Sequence, residues 1–224
     1  MIYLYAIKNY MNLIIAFGPF LIGLLLLLFN AFSFLILRSK TLQTKILGYY
    51  LTASFIEGTA CFGLYFVFPE NNFFISHIFF IIQLLFLSYF FYNVFENKIT
   101  KQIVKFFSVA LLVVFILQYA ITPSNFFKFN LYEVVSICVL LITFSLVYVY
   151  NNLGKSKKYL YFSFGVVIYF TCTCFVYLLG GYTIVLCQNP FIDHWIIKDV
   201  FFIIFQLLVF KECTNLKFDS TENN

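Results

Sequence analysis

Long apolar stretches separated by short polar connections run through the whole chain. Seven of these stretches are long enough to cross the apolar core of a bilayer as a helix, which takes about 20 residues. The predicted spans are residues 13–37, 46–68, 73–95, 103–121, 131–150, 159–179 and 194–210. The pattern therefore predicts an all-α fold: a polytopic integral membrane protein whose single domain, residues 13–211, is a seven-transmembrane-helix bundle.

Two short polar segments flank this domain. Residues 1–12 form an N-terminal lead, and residues 212–224 are predicted to be a short cytoplasmic tail that is disordered past Phe218. The first span is too long for the apolar core of a signal peptide, and no small-residue cleavage pattern follows it. We therefore interpret it as a helix of the bundle.

Basic residues fall almost entirely on alternate connections. Eleven of the 14 Lys and Arg residues lie in the first, third and fifth connections and the tail, whereas Lys8 and Lys128 lie on the opposite side. Short cytoplasmic loops carry such an excess of positive charge. The split predicts an N-out/C-in orientation as a multi-pass protein of the bacterial cytoplasmic membrane. A miscount of one span would scramble the alternation, so the split also supports seven spans.

The composition narrows the class of protein further. The chain is 63% hydrophobic and 10% charged, whereas soluble domains carry roughly a quarter charged residues. The expected partner is the lipid bilayer, and the net charge of +5 is explained by the loops rather than by nucleic-acid binding. Six cysteines without a C-x-x-C pair and two histidines predict neither a metal site nor a bound cofactor. No catalytic motif is present, which favours a non-enzymatic protein.

Glu57 is the one carboxylate predicted near the middle of a span. Small residues surround it, so the second span is expected to pack centrally, and Gln83 of the third span is predicted at a similar depth. A carboxylate there costs about 2.5–3.5 kcal/mol on insertion scales, so Glu57 should face the bundle interior. Two interpretations remain: a neutral Glu57 that donates a hydrogen bond to Gln83, or a carboxyl group on a proton or ligand path.

A second group of polar residues is predicted about one turn below the outer surface. Its members come from four different spans: His77, Gln118, Glu133, Lys198 and Asp199. They are interpreted either as a polar vestibule for a small ligand, or as separate residues of which Lys198 snorkels to the headgroups and Glu133 caps the start of the fifth span. Lys198 and Asp199 point about 100° apart on a helix and cannot both face one partner.

Three stretches carry a resemblance over the whole chain. They are the basic turn Leu37-Arg38-Ser39-Lys40, the stretch from Tyr49 to Glu57, and the opening of the last span with His194-Trp195. With these features the chain resembles the small seven-span membrane proteins of unknown function common in Bacteroidota, and more loosely the seven-helix membrane sensors of bacteria. The first resemblance implies no activity. The second implies a separate partner protein, because those sensors usually continue into a cytoplasmic output domain.

Three functions are open at this point. The first is a non-enzymatic sensory or accessory membrane component that meets a membrane or cytoplasmic partner protein. The second is a small-solute or proton-coupled transporter that uses Glu57. The third is an intramembrane lipid-modifying enzyme, which would need facing acids or histidines at one depth, and only the outer group could provide them.

Overall fold

The computed structural model describes residues 2–37, 41–67, 73–154, 158–186 and 194–222. Side chains are described for residues 17–37, 41–64, 74–154, 158–179 and 196–218. Several residues named above lie outside these ranges: Arg38, Ser39 and Lys40, together with the side chains of Lys8, His194 and Trp195.

Seven α-helices and no strands make up the described parts of the chain, which confirms the all-helical fold. The helices are α1 Ile2–Ile36, α2 Leu42–Val67, α3 Phe73–Val94, α4 Lys98–Ile121, α5 Leu131–Asn152, α6 Leu160–Leu186 and α7 His194–Glu222, with a 3₁₀ helix at Pro123–Phe127. Helix α1 includes most of the predicted lead, and α7 continues through the predicted tail to Glu222 instead of ending at Phe210. Residues 218–222 are therefore helical and not disordered.

Local sequence signals explain where these helices begin and end. Asn97 and Asn130 cap α4 and α5, because their side chains accept hydrogen bonds from the backbone N–H of the second or third residue that follows. Thr41 acts in the same way on Thr44 at the start of α2. Helix α4 ends at Ile121, two residues before Pro123, which cannot continue a helix.

Six helices form a closed ring in the order α1, α2, α3, α5, α6 and α7. Helix α4 lies outside the ring against α3 and α5. The prediction of a central α2 is wrong: the neighbours of α2 in the ring are α1 and α3, and its small residues Thr59, Ala60 and Gly63 are exposed. Only part of its small-residue face is thus used for packing.

The outer surface of the ring is apolar. Leu25, Phe32, Phe106 and Ile116 are between 63% and 68% exposed, and many other large apolar side chains are exposed with them. Soluble monomers rarely expose such extensive apolar surface. Five helices in the described ranges (α1, α3, α4, α5 and α6) are long and apolar enough to cross a membrane. The protein is therefore a multi-pass helical membrane protein.

Glu212, on the C-terminal part of α7, caps helix α6 from a distance of about fifty residues along the chain. Its buried carboxylate accepts hydrogen bonds from the backbone N–H of Tyr159 at 2.6 Å, Tyr161 at 3.0 Å and Phe162 at 3.4 Å. Tyr159 itself has a positive φ of 58°. The Tyr159 hydroxyl lies 3.3 Å from Thr41 Oγ1 at the start of α2. This contact region joins α2, α6 and α7.

Candidate functional site

A polar cavity of about 160 Å³ lies inside the ring between α1, α2, α3, α6 and α7. Its walls carry charged and amide side chains next to aromatic ones. The polar lining residues are Ser54, Glu57, Ser76, Gln83, Lys198, Asp199 and Gln206, and the aromatic ones include Tyr50, Phe79, Tyr169, Tyr177 and Phe202. A few convergent polar groups in an otherwise aromatic wall are typical of small-molecule sites, although this cavity is small for one.

Two buried polar side-chain atoms on this wall have no hydrogen-bond partner among the described residues. They are Gln83 Oε1 and Gln206 Nε2. An unsatisfied buried donor or acceptor costs about 1–3 kcal/mol, so each of these atoms is better accommodated with a guest molecule or water in the cavity. The Gln83 oxygen requires a donor, and the Gln206 nitrogen requires an acceptor. A ligand that satisfies the two atoms carries one hydrogen-bond donor and one acceptor.

Gln206 is held in place by helix α1. Asn30, which is fully buried, donates through Nδ2 to the Gln206 backbone oxygen at 2.8 Å and to Oε1 at 3.0 Å. Because Oε1 is engaged in this way, the amide nitrogen of Gln206 is the end left for the cavity. Asn30 was not singled out from the sequence.

Glu57 and Lys198 share the wall of this cavity and interact electrostatically. The prediction that a neutral Glu57 donates to Gln83 is wrong, because Gln83 Oε1 has no partner. Instead, the Cys61 thiol, one helical turn further along α2, donates to Glu57 Oε1 at 2.8 Å. The carboxyl group is therefore paired within its own helix while Lys198 supplies a positive charge to the same space.

Below the cavity, the interior is filled by aromatic rings. Phe90 of α3, Phe162 of α6 and Phe205 of α7 are fully buried. The ring centroid of Phe162 lies 5.0 Å from that of Phe90 and 5.9 Å from that of Phe205. The Tyr169 ring of the cavity wall stacks on Phe205 at 5.5 Å. This aromatic layer closes the cavity on the side toward Leu47 and Leu51, which are also fully buried.

His77 and Glu133 form a second, separate cluster between α3, α4 and α5. His77 Nδ1 lies 2.7 Å from Glu133 Oε2, and His77 Nε2 lies 2.9 Å from the backbone oxygen of Lys128. Tyr119 also donates to Glu133 Oε2 and is 3.0 Å from His77 Nδ1. Both ring nitrogens of His77 therefore lie within hydrogen-bond distance of an oxygen atom.

The predicted outer vestibule is therefore divided. Lys198 and Asp199 line the cavity with Glu57 and Gln83, whereas His77 and Glu133 do not. Gln118 joins neither group; it is half-buried, and its backbone oxygen accepts from Thr122. The suggestion that Glu133 caps α5 is also wrong, because Asn130 is the capping residue and the Glu133 N–H is its donor.

Two residues of these sites carry no recognisable sequence signal. Tyr119 and Cys61 are polar only at their tips and lie within apolar runs. Glu212 could have been suspected, because no Ser, Thr, Asp or Asn stands immediately before α6 to cap it. No group of three His, Cys, Asp or Glu side chains that could hold a metal occurs in the described part of the chain.

Fold and cavity together define the class: a multi-pass helical membrane protein with a polar cavity between its helices. The chain matches no family model, no curated protein and no solved structure.

Proposed function

We propose that this protein is a non-enzymatic sensory component of the bacterial cytoplasmic membrane that binds a small polar solute in the cavity between α1, α2, α3, α6 and α7. The observation that carries the proposal is the set of unpartnered buried atoms on the cavity wall, Gln83 Oε1 and Gln206 Nε2, beside Glu57 and Lys198. A solute with a donor at one end and an acceptor at the other satisfies them. A small zwitterion has this chemistry.

The proposal includes all seven helices as spans, in the N-out/C-in orientation. Helices α2 and α7 are more polar than the other five, but they are 26 and 29 residues long. That exceeds the roughly 20 residues a span requires. Each also packs between two neighbours of the ring, and Glu57 of α2 and Lys198 of α7 line the cavity. These cavity residues contribute to the lower hydropathy of the two helices.

The aromatic layer supports sensing over transport. A transporter must open a path on both sides of its site, whereas Phe90, Phe162 and Phe205 fill the space on one side of this cavity with interlocked rings. A signal would then pass to a separate membrane or cytoplasmic partner protein. The alternative, a proton-coupled transporter, is favoured by one observation: an intramembrane carboxyl group, Glu57, on the cavity wall.

The test uses the full-length protein in lipid nanodiscs, with glycine and alanine as zwitterionic probes and acetate and methylammonium as singly charged controls. We expect a rise in the melting temperature with the zwitterions only. The rise should be lost in Glu57→Gln and Lys198→Gln and kept in Lys211→Gln, which removes an exposed charge outside the cavity. No shift with any zwitterion would contradict the proposed site.

Uptake into proteoliposomes then separates the two functions. Binding of the probe without uptake supports a sensory protein. Uptake that is driven by a proton gradient and is lost in Glu57→Gln, with the melting temperature unchanged, would establish the transporter instead.

A further inference from the structure

A groove of about 320 Å³ lies between α3 and α4, on the outside of the helix ring and away from the polar cavity. Apolar side chains of both helices form most of its wall, among them Leu84, Leu85, Val109 and Leu112. Both helices belong to the five that are apolar enough to span a membrane. The groove therefore faces the acyl chains of the bilayer.

Two serines interrupt this apolar wall. Ser88 and Ser108 are buried in the groove, and neither hydroxyl has a hydrogen-bond partner in the part of the chain that the structure describes. Hydroxyl side chains in helices commonly bond the carbonyl four residues earlier. Thr52, Thr59 and Thr143 of this chain do so, each at 2.8 Å. The two serines do not form this bond, so their hydroxyl groups can donate a hydrogen bond to a ligand in the groove.

Positive charge lies at one end of the same groove. Lys105 lines it, one helical turn before Ser108, and Lys101 lies a further turn toward the start of α4. The Lys101 ammonium is 5.8 Å from the centre of the Tyr92 ring, and Tyr92 also lines the groove. In the described part of the chain, neither lysine takes part in a salt bridge.

We propose that the α3–α4 groove binds one anionic phospholipid. Its phosphate lies between Lys101 and Lys105, its ester oxygens accept hydrogen bonds from Ser88 and Ser108, and one acyl chain packs along Leu84 and Leu112. The order of these groups along the groove is the order in a phospholipid: anion, ester, hydrocarbon. Two cations at the mouth select an anionic headgroup, because each lysine near an anionic lipid contributes about 1 kcal/mol.

Native mass spectrometry of the delipidated full-length protein tests this inference. The probes are phosphatidylglycerol and phosphatidylcholine with identical acyl chains. We expect phosphatidylglycerol to bind more tightly, and its affinity to fall about thirtyfold in the double variant Lys101→Gln/Lys105→Gln. The matched control, Lys211→Gln/Lys217→Gln, removes the same charge from exposed positions on α7 and should leave the affinity unchanged.

A second variant tests the groove itself. Ser88→Leu/Ser108→Leu keeps every charge but fills the groove, and it should abolish phosphatidylglycerol binding. Equal binding of the two lipids to the wild type would overturn the proposal, as would equal losses in the two lysine variants. The lysine variants change no buried side chain, so they remain informative if the serine variant does not fold.

Discussion

Replacing Glu212 by glutamine is expected to destabilise the whole bundle, although the residue lies outside the polar cavity. Glu212 Oε1 accepts from the N–H of Tyr159, and Oε2 accepts from those of Tyr161 and Phe162. A glutamine has one acceptor oxygen, which can keep the two bonds of Oε2. Its NH₂ group then faces the N–H of Tyr159. Both are hydrogen-bond donors, so the buried N–H of Tyr159 loses its acceptor.

The expected loss follows from these three bonds. A buried donor left without an acceptor costs about 1–3 kcal/mol. Loss of the negative charge weakens the other two bonds, since hydrogen bonds to charged groups contribute about 1.5–3 kcal/mol and neutral ones about 1 kcal/mol. Together these effects give a decrease of about 3 kcal/mol in the free energy of unfolding. That is a large part of the 5–15 kcal/mol typical of folded proteins.

Unfolding by titration with sodium dodecyl sulfate in mixed micelles measures this loss. The control is Glu96→Gln, the same change at an exposed acid in the connection between α3 and α4, where we expect less than about 0.5 kcal/mol. Hydrogen exchange should also accelerate at the amides of Tyr159, Tyr161 and Phe162. If Glu212→Gln unfolds like Glu96→Gln and these amides stay protected, the carboxylate does not cap α6 and the reasoning is refuted.

Two further predictions concern packing and the buried contact between His77 and Glu133. Gly165→Ala should destabilise the protein by about 1–3 kcal/mol, because its Cβ would lie 2.7 Å from the Phe205 ring, whereas Gly63→Ala has open space and should be neutral or stabilising in the same titration. His77→Leu should cost about 1–3 kcal/mol, because it leaves the buried Glu133 carboxyl group without this hydrogen-bond partner, and the double variant His77→Leu/Glu133→Leu should recover much of the loss. Additive losses in the double variant would show that the two residues are not coupled.

Helix positions could be predicted from the sequence because hydrophobic run length is a local property. Depth could be predicted as well, since each residue of a helix rises about 1.5 Å. Depth placed His77 and Glu133 at one level, and the two residues are in contact at 2.7 Å. It also placed Lys198 at that level, but Lys198 lines the polar cavity and not the cluster of His77 and Glu133. Depth alone does not determine which direction a side chain faces.

That direction depends on the order of the helices around the ring, which no local pattern encodes. Helix α4 follows α3 in the chain but lies outside the ring, so α3 meets α5 directly. Gln118 therefore faces away from the cavity although its depth was suitable. Interactions between distant residues, such as Asn30 with Gln206 or Glu212 with Tyr159, were missed for the same reason.

Helix α7 connects the cavity with the opposite end of the molecule as one uninterrupted rod. Lys198 lies on the cavity wall, and Glu212 holds the start of α6 about 21 Å further along the same helix. A continuous helix is stiff along its axis, so a shift at Lys198 must be absorbed at Glu212 or carried through it. The three hydrogen bonds of the Glu212 carboxylate therefore resist an axial displacement of α7 relative to α6.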